Sequence, residues 1–138
     1  MPQAPAMTDC LPPSLDDLDR LAREAWAALP ETFRAMAGDV VIRIQDFAED
    51  DLLDEMGIED PFELTGLYMG VDLTQQSITY PTPHAPMVFL YRRAILNEWI
   101  EHGDVALSDL VAHVLVHEVG HHFGLSDEQM DALLEEAD

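Results

Sequence analysis

A small domain that mixes several helices with a few short strands is what this sequence predicts. Three observations lead there. Apolar residues recur at helical spacing in Leu15, Leu18, Leu21, Ala22, Ala25, Trp26 and Leu29. Two short runs, Val40 to Ile44 and Met87 to Tyr91, are rich in β-branched, aromatic and other apolar residues and read as strands. A third run, Leu110, Val111, Val114, Leu115 and Val116, leads into a histidine-rich stretch and reads as a buried helix. The 138 residues suffice for one hydrophobic core.

In order, residues 1–13 carry four prolines and are expected to be a disordered tail, with one domain spanning 14–138. Ser14 stands where an N-cap belongs, before acids in the first turn, and Pro30 ends a helix expected over 15–29. The strand at 40–44 is followed by an acidic stretch, 46–63, in which Leu52, Leu53 and Met56 hint at a short helix before Pro61. That stretch lacks the ligand spacing of a calcium loop and reads as a solvated face. Gly66 to Leu73 is a further strand, then a polar, proline-rich loop runs to Pro86. After Met87–Tyr91 a helix follows whose Ile95, Leu96, Trp99 and Ile100 form one stripe, ended by Gly103. Asp104 or Ser108 is expected to cap the next helix, and a last helix is expected over 127–136 from an S-x-x-Q box at Ser126 and Gln129, with Met130, Leu133 and Leu134 packing inward.

The chemistry concentrates in His117-Glu118-Val119-Gly120-His121, extended to Gly124 and Asp127 as H-E-x-x-H-x-x-G-x-x-D. On a helix, residues four apart lie one turn apart on one face, so His117 and His121 can aim at one point. Glu118 is rotated by about 100° from His117, off the first choice of ligand position but able to act as a general base on water. Gly124 can take a positive φ and turn the chain so that Asp127 approaches the two histidines. Two imidazoles and a carboxylate leave one position open, the ligand count of a catalytic rather than a structural zinc.

The extended motif resembles that of the zincin metallopeptidases, with aspartate where metzincins carry a third histidine. Together with VFLYRRAILNEW upstream, it resembles the small bacterial minimal zincin-like metallopeptidase family over roughly residues 36 to 136. That resemblance implies an α+β zincin-like fold with a short sheet packed against the motif helix. It also implies zinc ligands at His117, His121 and Asp127 and a catalytic base at Glu118. By zincin analogy the strand beside that helix is an edge strand able to receive an extended substrate, which makes 86–91 the expected rim.

The leading functional expectation is a zinc-dependent peptidase in which Glu118 activates water. Only eleven residues follow Asp127, too few for a large second lobe, so the alternative is a zinc-binding protein-interaction module with little peptidase activity. A two-histidine, one-carboxylate iron site is a third reading, disfavoured by the helical placement and the intervening Glu118. His113 lies about 12 Å along the axis from His121, too far to close on the same ion. It is expected to line the cleft or to act behind the ligands. His122 is off the metal face and explained by packing or exposure, His84 by exposure, and His102 by the end of its helix. Met130 reads as a core residue, and Tyr91 and Arg92 are candidates to stabilise an oxyanion.

Twenty-eight acids face six arginines and no lysine, a formal charge of −22. Such a surface repels nucleic acid and anionic membranes and would attract a basic peptide or protein, although solubility alone is the first explanation of the charge. Cys10 is the only cysteine, which rules out an intrachain disulfide and a cysteine-based metal site. The sequence has no apolar run of membrane-spanning length and opens without a secretory signal, so a cytoplasmic protein is expected.

Overall fold

A computed structural model describes residues 11–70, 86–124 and 128. It is an α+β domain. Helix α1 (Leu15–Ala28) starts at the expected cap: Ser14 Oγ accepts from the Asp17 amide at 3.1 Å while the Asp17 carboxylate accepts from the Ser14 amide at 2.8 Å. This reciprocal pair satisfies two amides that a helix start leaves open. Pro30 does not simply break the chain; it opens a second, unexpected helix, α2 (Glu31–Ala37), closed by Gly38 at φ 69°.

Strand β1 (Val41–Gln45) follows, then α3 (Asp50–Met56), ended by Gly57 in the left-handed conformation, and a 3-10 turn at Pro61–Glu63. Strand β2 is described over Gly66–Met69, and residues 71–73, expected to extend it, lie outside the described residues. Strand β3 (Met87–Tyr91) passes without a loop into α4 (Arg92–His102), which Gly103 ends at φ 76°. The motif helix α5 spans Leu107–His122.

Three expectations need correction. Ile100 is 73% exposed; Ile95 and Leu96 are buried and Trp99 half-buried, so the apolar face of α4 is narrower than the four-residue stripe. Neither Asp104 nor Ser108 caps α5. Its N-cap is Ala106, whose carbonyl accepts from Asp109 and Leu110, and this leaves Ser108 inside the first turn. Residues 86–91 are not an edge. Among the described residues the sheet order is β1-β3-β2, with β3 parallel to β1 and antiparallel to β2, so β3 is central and β2 is the flanking strand that packs most closely on α5. The last helix expected over 127–136, its capping box and Met130 lie outside the described residues apart from Glu128, which is helical and exposed.

Alternation along β3 divides the core in two. Val88 and Leu90 face a cluster built from Leu18 and Ala22 of α1, Ile95 of α4 and Leu110, Val111, Val114, Leu115 and Val119 of α5. Tyr91, with Phe89 partly buried beside it, faces a smaller cluster with Ala48, Leu53 and Ala94. Polar ties hold the connections. The Trp99 indole N–H donates to the Val105 carbonyl at 2.6 Å across the α4–α5 turn. Arg92 donates to the Pro13 carbonyl at 2.6 Å and to Asp46 at 3.0 Å, which commits this candidate oxyanion residue to the scaffold. Among the described residues, no helix is long and apolar enough to cross a membrane.

Leu18→Ala should cost about 2–5 kcal/mol in urea unfolding, the range for truncating a buried leucine. Ile100→Gln, at an exposed position, should stay within about 0.5 kcal/mol of wild type.

Candidate metal centre

Helix α5 carries the motif on successive turns. The His117 and His121 rings stand edge to face with centroids 5.2 Å apart. Glu118 joins them: one ligand atom each from His117, Glu118 and His121 lie within 4.8 Å of one another, and Glu118 Oε1 is 3.9 Å from His121 Nε2. Both histidines are half-buried, whereas Glu118 is only 9% exposed. Two imidazole nitrogens and a carboxylate converging from one helix suit a borderline-soft divalent cation such as zinc. Gly124 has φ 78° and its amide donates to the His121 carbonyl at 3.0 Å, so the chain does turn where expected. Asp127, the expected third ligand, lies outside the described residues.

The neighbouring strand explains how the buried carboxylate is accommodated. Val114, Glu118 and His122, four apart, share the α5 face turned to β2. A Cβ built on Gly66 would lie 2.8 Å from Val114 Cγ1 and 3.1 Å from Glu118 Cγ, closer than side chains tolerate. Only a residue without a side chain lets α5 seat this deeply. The Tyr91 amide donates to the Thr65 carbonyl, and the antiparallel alternation from that bond turns the main-chain groups of Gly66 and Tyr68 away from β3.

Tyr91 is buried, and its phenol is pushed up from 10.0 to about 12, first by burial and then by the carboxylates of Glu118 and Glu49. It therefore stays a protonated donor through the neutral range. Of the other histidines, His113 is exposed and is not among the three grouped ligand side chains, and His102 is exposed on the last turn of α4. His84 lies outside the described residues. His122 is packed rather than exposed, at 1% accessibility. Sequence reasoning missed Gly66 and Tyr68; a glycine opening a strand pattern was the one available sign of close backbone approach.

A family model described as zincin-like metallopeptidase matches residues 37–136, from the end of α2 through α5 and beyond. The chain belongs to that family. No match is found among curated proteins.

Gly66→Ala should lower stability by about 1–3 kcal/mol, as overpacking does, read as a shift in the urea midpoint. Because the folded pKa of Tyr91 lies above the unfolded one, its contribution to stability is fully present below pH 10 and lost as pH rises toward 12. Phenolate absorbance should show one tyrosine titrating late, and Tyr91→Phe should abolish that late step and flatten the fall in stability over the same window.

Proposed function

We propose that this protein is a zinc-dependent peptidase whose ligands are His117, His121 and Asp127 and whose general base is Glu118. The observation that supports it best is the convergence of the His117, Glu118 and His121 donor atoms within 4.8 Å on a family-matched helix. Zinc bound there would supply a Lewis acid that acidifies water and polarises a carbonyl.

The protein's own groups do the rest. Glu118, held against β2 and largely shielded from bulk water, takes a proton on its carboxylate and returns it to the leaving amine. His117 and His121 present their imidazoles one turn apart, as the nitrogen ligands of the ion. Gly66 of strand β2 lies immediately beside Glu118, so β2 rather than 86–91 is the strand nearest the proposed base. The formal charge of −22 favours basic peptides over acidic ones as substrates.

Zinc content and cleavage of a peptide library, measured on the same preparations, test the reading. Wild type should hold one zinc per chain and cleave; Glu118→Gln should keep the zinc and lose about 10²–10⁴-fold in turnover. His121→Ala should lose both. If Glu118→Gln loses zinc together with activity, the carboxylate is a ligand and the base assignment is wrong. Zinc without any cleavage would point to the interaction module instead.

A further inference from the structure

His122 is the one motif-adjacent residue that the peptidase reading leaves without a task, and its surroundings are specific. Its Nε2 lies 3.0 Å from the Ala37 carbonyl, and its Nδ1 lies 2.6 Å from the Tyr68 hydroxyl. A carbonyl oxygen only accepts, so Nε2 carries the hydrogen and donates to Ala37. In the neutral ring Nδ1 is then the acceptor, and the Tyr68 hydroxyl donates to it. One buried imidazole thus joins three segments of the fold: the end of α2, strand β2 and the last turn of α5.

That last turn is the C-terminal end of α5. The Phe123 amide already bonds back to Gly120, and the Gly124 amide to His121, so the regular helix closes within three residues of His121. Terminal turns fray because their carbonyls lack partners within the helix. A ligand in a fraying turn would have to be ordered each time an ion bound, at a cost in affinity. His122 follows His121 directly, and its hydrogen bonds reach Tyr68 on strand β2 and the buried Ala37 at the end of α2.

We infer that His122, braced by Tyr68 and Ala37, is a positioning residue that holds the final turn of α5 so that His121 is already in place for the metal. The inference rests on the proposed ligand role of His121. It assigns a task to Tyr68 as well: the strand that packs against Glu118 also anchors the metal helix.

Zinc dissociation constants, measured by chelator competition on wild type, Tyr68→Phe, His122→Gln and His122→Leu, test it. Ile95→Val serves as control, a change in the buried core that touches neither hydrogen bond. Removing partners that orient metal ligands typically weakens binding about 10–100-fold. Tyr68→Phe should sit near the lower end and His122→Leu near the upper. His122→Gln, whose amide can still reach the Ala37 carbonyl, should recover part of the loss seen in His122→Leu. Far-ultraviolet dichroism establishes that each variant is folded, and Tyr68→Phe, which keeps the ring, preserves the test if His122→Leu is not. Affinities within twofold of wild type in folded Tyr68→Phe and His122→Gln would overturn the inference. So would an equal loss in Ile95→Val, since the effect would then follow stability alone. Wild type that binds no zinc would instead remove the metal reading on which the inference rests.

Discussion

Helix α5 lies against β2 as closely as it does because residue 66 has no side chain. Any Cβ there would overlap Val114 and crowd Glu118. With the helix seated, its rotation is set: Val114, Glu118 and His122 turn to the strand, and His117 and His121 fall on the adjacent face. The buried carboxylate and the two half-buried imidazoles are therefore consequences of one packing contact.

The remainder of the fold holds that contact in place. Helix α5 is apolar on most of its circumference and must be covered on several sides. Helices α1 and α4 and strands β2 and β3 pack against it, with Leu18, Ala22, Leu90 and Ile95 in the shared core. The second cluster, around Leu53, Tyr91 and Ala94, fills the opposite face of the sheet. Tyr91 sits near enough to Glu118 and Glu49 for their charges to add to the effect of its burial.

Much of this was legible in the sequence where the signal is local. The H-E-x-x-H spacing, the Ser14 cap, Gly103 at the end of α4, the turn at Gly124, the strand expected at 40–44 and found at 41–45, and the strand at 87–91 each follow from a few adjacent residues. What was not legible depends on distant partners. Seven residues of α2 are too few to display a helical period. Strand order is a property of pairing: MVFLY is apolar along its length, as suits a strand covered on both sides, but the expectation of an edge at 86–91 rests on zincin analogy and not on these residues. The N-terminus of α5 has no capping side chain to announce it, because packing rather than a local bond fixes where the helix begins. For His122 the rotation argument placed the ring correctly off the metal face. Its partners at 37 and 68 are invisible to any local reading.

The central claim is that α5 and the turn after it gather three donors around a single ion. Anomalous scattering on either side of the zinc absorption edge, from crystals grown with one equivalent of zinc, addresses it directly. The account predicts one peak within coordination distance of His117 and His121, with the Asp127 carboxylate completing the set. A peak elsewhere, or an ion at the two histidines with Asp127 turned away and no other donor in its stead, would contradict it.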